Sequence, residues 1–389
     1  MGVPTGYVPL RRAYALLALS AVALTACVGS EAAPGTQTTS TPPPAISPRP
    51  SPLIDPDEII EVLGPDQIPA IDEPKFRPAT EARFLTPQEP VLALAIAGDA
   101  RAYPAQILIW HEIVNDTVGG VPVAVTYCPL CNTAVVFERP VIDGEPLDFG
   151  TSGSLYLSNL VMYDRQTNSL WPQATGQAAV GRLTGTSLEI VPAQLVSFGD
   201  FRDAYPDGKV LSRQTGTSRD YGLNPYEGYD DPDSRASFFL DEPDPRLPIK
   251  ARVLGVLVAD QAFAVPYKEL TAHAVGGWSV LEDRVAGEPV VVFWKSGTVS
   301  ALDQLEIAAS TDVGAMAAFS PRADGRNLTF RATESGIVDD QTGSTWGIFG
   351  IAVDGPLAGE RLPMLISIES FWFDWAAFYP RTRIAGEDA

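Results

Sequence analysis

The strongest constraint on this chain is that it matches itself. Val91–Pro104 aligns with Val253–Pro266, and at the same offset His111 falls on His273. After a short insertion, Pro122–Val125 meets Pro289–Val292. Asp164-Arg-Gln-Thr-Asn-Ser-Leu-Trp171 then meets Asp339-Asp-Gln-Thr-Gly-Ser-Thr-Trp346, and Asp200–Pro206 meets Asp374–Pro380. Blocks matched in one order along the chain argue for an internal duplication, and so for two pseudo-equivalent units.

Each unit reads as β-rich. Val91–Ala97 and Ala100–Tyr103 suggest strands around a Gly98-Asp99 turn, and Ala105–Ile113 a short helix. Val121–Tyr127 and Thr133–Glu138 are rich in β-branched residues, Asp143-Gly144 is a hairpin turn signal, and Leu155–Tyr163 reads as one further strand. Phe198–Tyr205 has the spacing of a short helix. The expected class is mainly β (α+β): two tandem β-rich lobes with a few short helices. Residues 85–215 form the lobe with thiols, and 251–385 the lobe without. Residues 55–84 are a proline-punctuated lead-in, with a short helix expected at Pro56–Leu63. Residues 216–250 join the lobes and hold Asp230, Asp231, Asp233, Asp241, Glu242 and Asp244. Their spacing lacks an EF-hand pattern, so they read as a solvated acidic connector.

Residues 1–26 read as a lipoprotein signal peptide. Arg11 and Arg12 precede a short apolar run, Ala13–Ala26, which ends in Leu24-Thr25-Ala26-Cys27. The expectation is an exported protein, lipidated on Cys27 and anchored to the outer face of the cell membrane. Residues 27–54, dominated by Pro, Thr and Ser, read as a disordered tether. A net charge of −21 repels phosphate backbones, so no nucleic-acid partner is expected. Phosphate loops, HExxH patterns and serine-nucleophile elbows are all absent, and no nucleotide cofactor is expected.

The chemistry concentrates where rare residues cluster. The chain has 3 cysteines and 2 histidines, and Cys128, Cys131 and His111 fall within one short stretch. Cys128-Pro-Leu-Cys131 sits between strand signals. It admits a metal knuckle, a redox dithiol or a structural disulfide. As a metal site, its ligands would be Cys128, Cys131 and His111, with His273 and Met162 as further candidates. Glu112, Asn115 and Asp116 would orient the imidazole from behind. Soft ligands suit copper first, then zinc or iron. Asp164, Thr167 and Trp171, with Asp339, Thr342 and Trp346, recur in both units and read as architecture, because Asp and Thr at this spacing fix turns.

Leu108–Asp116 and Val125–Asn132 together resemble the signature of domain of unknown function 3179. Ser152–Tyr156, Leu160–Arg165, Leu170-Trp171, Val210–Ser212, Thr342–Ser344 and Phe371–Phe373 extend the likeness over nearly all of residues 85–385. The resemblance implies export, often with lipidation, and brings no catalytic residues. The leading expectation is therefore a membrane-anchored lipoprotein binding a soft metal through Cys128, Cys131 and His111. A thiol-disulfide oxidoreductase using the two cysteines and a ligand-binding scaffold are the alternatives. No protein or small-molecule partner can be named from the sequence.

Overall fold

Short β-hairpins, closed by turns that need positive φ, build most of this protein. The computed structural model describes residues 50–232 and 242–387. Cys27, the signal segment, most of the tether, Asp233 and Asp241 lie outside the described residues. The first half runs β1 (Ile60–Glu61), β2 (Phe76–Pro78), β3 (Pro90–Ile96), β4 (Asp99–Pro104), α1 (Ala105–His111), β5 (Ile113–Val118), β6 (Val121–Cys128) and β7 (Thr133–Glu138). It continues with β8 (Val141–Ile142), β9 (Glu145–Pro146), β10 (Phe149–Tyr156), β11 (Asn159–Asp164) and β12 (Leu170–Pro172). It ends with β13 (Ile190–Val191), β14 (Gln194–Ser197), α2 (Phe198–Ala204) and β15 (Lys209–Leu211).

Ala97-Gly98, Gly119-Gly120 and Asp143-Gly144 each take positive φ at both positions, as the tight turns of twisted hairpins require. The first of these shifts the expected turn back by one residue. Leu155–Tyr163 is also not one strand. It breaks at Leu157 (φ 50) and Ser158 (φ 67) into the β10–β11 hairpin. The lead-in departs from expectation as well. Asp55 caps only a 3-10 turn at Pro56–Glu58, after which β1 pairs with β10, and β2 pairs with β15. Residues 55–84 are thus woven into the first half rather than preceding it.

The second half runs β16 (Arg252–Val258), β17 (Gln261–Pro266), α3 (Tyr267–Thr271), β18 (Trp278–Val285), β19 (Glu288–Lys295), β20 (Ala315–Phe319), β21 (Arg322–Ala323) and β22 (Arg326–Asn327). It ends with β23 (Phe330–Thr333), β24 (Gly336–Asp339), β25 (Thr345–Trp346), β26 (Ala352–Asp354), β27 (Ile366–Phe371), α4 (Trp372–Phe378) and β28 (Arg383–Ile384). The fold is mainly β, with four short α-helices among the described residues. None of them is long and apolar enough to cross a membrane.

The sheet order β14-β3-β4-β15 in the first half is matched by β27-β16-β17-β28 in the second, each ending in a parallel pair. The two Asp–Trp motifs also adopt one arrangement. Asp164 accepts hydrogen bonds from Thr167 N and Oγ1, Ser169 N and Trp171 Nε1, at 2.6–3.2 Å. Asp339 accepts the same set from Thr342, Ser344 and Trp346 at 2.6–3.0 Å. Both carboxylates and both indoles are fully buried.

The halves are not separate bodies, and from residue 49 onward the chain forms one compact unit. Each half lays its matched sheet, five-stranded in the first half with β2 at its edge and four-stranded in the second, against the other half's hairpins. One core joins Val91, Val196 and Phe201 to Phe293, Phe319 and Trp346. Another joins Cys128, Cys131, Phe149 and Trp171 to Val253, Ile368, Trp372 and Trp375. Burying large aromatic side chains on both sides makes this exchange a main source of stability.

Candidate thiol site

β6 ends on Cys128, the chain turns through Pro129-Leu130, and β7 begins at Thr133. Asn132 takes φ 50, a conformation that asparagine tolerates better than most residues. The turn is closed by Cys131 N donating to Cys128 O and Asn132 N to Pro129 O, both at 3.2 Å. It brings the two sulfurs to 2.6 Å, within reach of a disulfide, and both thiols are free. The context is therefore strand–turn–strand, as the flanking residues indicate.

The second half completes the surroundings. Phe371 N donates to Cys131 O at 2.8 Å. Asp374, on α4, is 1% exposed, and its charge acts on the Cys131 thiol. The Asp374 Oδ2 accepts from Thr133 Oγ1 at 2.7 Å and Ser370 Oγ at 2.8 Å, and its Oδ1 from Asn159 Nδ2 at 2.9 Å. Burial pushes the Asp374 carboxyl above its usual 3.8, and these donors recover only part of the shift. Cys131 is pushed well above 9.0, first by burial, then by its bond to Cys128 and the charge of Asp374. Its thiol also donates to Ser158 O at 3.2 Å, within the Leu157-Ser158 turn. Two non-glycine residues at positive φ beside a reactive group are strain held at a candidate site.

A second buried network holds the turn from its other side. Asn132 Nδ2 donates to Glu369 Oε1 at 2.9 Å, and Tyr267 OH donates to Glu369 Oε2 at 2.8 Å. Arg252 pairs with Glu369 at 3.3 Å and with Asp230 at 2.7 Å. Burial raises Glu369 above its usual 4.5, against the pull of Arg252.

Cys128 faces a cavity of about 340 Å³. Val62 and Leu63 from the lead-in, Leu130, Leu155 and Leu160 line it, together with Glu112, Tyr226 and Tyr229. The lead-in is fixed there because Val62 N and Leu63 N both donate to Gly153 O at 2.9 Å. Gly153 must be glycine: its φ is 75, and a Cβ would stand 2.1 Å from Leu63 O. Glu112 ends α1 at φ 58 and is 8% exposed. Burial pushes its carboxyl up to about 8, and no hydrogen bond or ion pair from the described residues offsets that. Tyr226 is raised by burial and then by the charges of Glu112 and Cys128. A wider depression of about 690 Å³ is lined in part by Phe373, Ala376 and Ala377 of α4, with no thiol among its described lining residues.

The residues expected to join the thiols as metal ligands have other partners or surroundings. His111 is 1% exposed, and burial lowers its pKa below 6.5. Its Nδ1 lies 2.6 Å from Pro69 O, a pure acceptor, so Nδ1 carries the hydrogen. The Nε2 lone pair then accepts from Tyr221 OH at 2.6 Å and is not free for a metal. The imidazole is oriented by Pro69 and Tyr221 rather than by its sequence neighbours. Asn115 instead bonds Asp72 and the Phe149 backbone, and Asp116 pairs with Arg101 and accepts from Tyr103 OH. His273 is exposed on the second half, and Met162 is fully buried in the apolar cluster around the thiols. Among the described residues no group of three or more His, Cys, Asp or Glu is arranged to hold a metal. Among the described residues, then, the two thiols have no third ligand already in place for a copper, zinc or iron site.

Asp374, Glu369, Asn159, Tyr226 and Tyr229 were not legible as site residues. The repeated Asp200/Asp374 block was a signal for the first. In the reciprocal place Asp200 pairs with Lys295 at 2.7 Å, and Lys295 ends β19 as Cys128 ends β6. The acidic connector also does more than span the halves. It delivers Tyr221 to His111, Tyr226 and Tyr229 to the cavity, and Asp230 to Arg252.

A family model described as "Protein of unknown function (DUF3179)" matches residues 65–382. No curated protein and no solved structure matches the chain. The match begins inside the lead-in, in keeping with the pairing of that segment to the first half.

Proposed function

We propose, for a chain that belongs to the DUF3179 family and inherits no activity from it, that Cys128 and Cys131 form a thiol–disulfide redox centre. One observation carries this reading. Cys128 lines a cavity, while Cys131 lies behind it, 2.6 Å away and in the field of the buried Asp374 carboxyl. That is the division between an attacking and a resolving thiol.

The chemistry follows from these positions. The Cys128 thiol gives its proton to the ionised form of Glu112 and attacks one sulfur of a substrate disulfide. The substrate S–S bond breaks, the departing thiolate takes the proton back from Glu112, and Cys128 is left in a mixed disulfide. A carboxyl poised near 8 is matched to a thiol for this exchange. Cys131 then passes its proton to Asp374 and attacks the Cys128 sulfur. The second substrate thiolate leaves and is protonated by water at the cavity mouth. Two electrons have moved from the protein to the substrate, and Asp374 keeps its proton until a dithiol reductant restores the pair. Run backwards, the same steps oxidise a dithiol. We further propose that the protein works outside the cytoplasm, held to the membrane through Cys27, where disulfide exchange has substrates.

The test is to trap the intermediate. Cys131→Ser should accumulate a mixed disulfide on Cys128, read by intact mass, and Cys128→Ser should not. Wild-type protein should interconvert reversibly between dithiol and disulfide in thiol redox buffers. A pair that stays reduced in every buffer would overturn the reading.

A further inference from the structure

The cavity wall carries information about what Cys128 meets. Val62, Leu63, Leu130, Leu155 and Leu160 supply apolar surface. Among the described residues no lysine, arginine or histidine lines the cavity, and the one carboxyl in its lining belongs to Glu112. Glu112 is held there by a backbone conformation that side chains rarely adopt, nine-tenths buried and without a cationic partner. A substrate carboxylate brought to Cys128 would lose its water and find no counter-charge among the described lining residues, since the Lys250 ammonium is engaged with the ring and carbonyl of Tyr229, and unpaired buried charge is costly. Where Glu112 is ionised, it would repel the anion as well. The volume, about 340 Å³, is at the small end for ligand sites.

Building on the redox reading, we infer that the substrate is a small, uncharged, apolar disulfide or dithiol. Anionic thiol compounds such as glutathione disulfide are turned away. The described lining offers no cation to pair with their carboxylates, while its aliphatic wall and the Tyr226 and Tyr229 rings match an apolar body. Charge selection would sit in the wall and at the rim, apart from the thiols themselves. Val62 and Leu63, both exposed at 48% and 38%, are its accessible side chains.

The experiment uses two chromogenic disulfides of different charge. Cys131→Ser protein, with Cys128 as its reactive thiol, is mixed with uncharged 4,4′-dithiodipyridine or with dianionic 5,5′-dithiobis(2-nitrobenzoate). In each case Cys128 forms a mixed disulfide and releases one aryl thiolate. Each rate is divided by that of 2-mercaptoethanol with the same reagent, which removes intrinsic reactivity. The normalised rate should favour the uncharged reagent about tenfold or more. Leu63→Lys, at an exposed rim position, should narrow that ratio several-fold by offering the anion a counter-charge. Equal normalised rates, or a ratio that Leu63→Lys leaves unchanged, would overturn the inference. Should Cys131→Ser fold poorly, the first release from reduced wild-type protein gives the same ratio. This readout needs only one thiol, so a pair that fails to cycle would sink the redox reading without deciding charge selection, and the converse also holds.

Discussion

Asn132 donates a 2.9 Å hydrogen bond to Glu369, joining the turn that carries the thiols to a strand of the opposite half. Both residues are buried, so breaking the bond leaves Glu369 short of a donor. Asn132→Ala should destabilise the protein by about 2 kcal/mol in denaturant unfolding, through the lost bond and the cost of φ 50 for alanine. Asn132→Gly should recover the backbone share alone. If Asn132→Ala matches wild type, the bond does not hold the turn.

In the proposed mechanism Asp374 takes the proton in the resolving step. In Asp374→Asn, the mixed disulfide formed on Cys128 should persist about 100-fold longer, because general-base help is typically of that size. Rapid-quench mass spectrometry would follow it. In wild type the step should slow as the pH falls through the raised pKa of Asp374, since only the carboxylate accepts a proton. The Asn variant should lose that dependence, which a purely structural role would not predict.

Glu112 makes stability depend on pH. Its folded pKa, about 8, lies above the ordinary 4.5, so the folded state keeps a proton that the unfolded chain releases. The contribution is fully present below 4.5 and is lost as the pH rises towards 8, on the order of 5 kcal/mol in all. Glu112→Gln should therefore match wild type near pH 4 and exceed it at pH 8 in thermal unfolding. Parallel curves across that range would refute the assignment.

The two Asp–Trp motifs should be equivalent in stability and irrelevant to chemistry. Asp164→Ala and Asp339→Ala each strand several buried donors, and each should cost about 3 kcal/mol. Burial pushes Asp339 up, but the bonds from Trp346, Thr342 and Ser344 outweigh it and hold the carboxyl below 3.8. Its contribution is present above 3.8 and lost as the pH falls through its folded value. Redox cycling of Cys128 and Cys131 at 25 °C should survive both substitutions.

Copper separates the redox reading from a metal centre. Untagged protein loaded with Cu(I) and passed over a strong chelator should retain no more copper than Cys128→Ser/Cys131→Ser. Retention of one ion per chain, lost in the double variant, would favour a metal site built differently from the expected one. His111→Ala should lower stability without changing the metal content, because its ring is spent on Pro69 and Tyr221.

What could be read from the sequence was local. Gly-containing pairs placed the hairpin turns, the Asp-x-x-Thr-x-Ser-x-Trp motif announced its own hydrogen bonds, and rarity marked Cys128 and Cys131. The ring of groups around them was hidden by distance along the chain. Asp374 and Glu369 reach the turn that carries the thiols only because β27 and α4 cross onto the first half. His111 looked like a ligand because it stands near the cysteines in sequence, yet its ring turns to Pro69 and Tyr221, which no local pattern reveals. Likewise Tyr226 and Tyr229 sit in a stretch whose acidity suggested only solvent.

The exchanged sheets give the molecule an unusual dependence on its own continuity. A chain nicked in the connector would carry Cys128 and Cys131 on one piece, and Asp374 and Glu369 on the other. Neither piece could assemble the proton path alone, while the two together would have large apolar faces to recombine. Co-expressed fragments would therefore form a split reporter, in which resolving activity appears only on reassociation and its rate of return measures how fast the two sheets find each other.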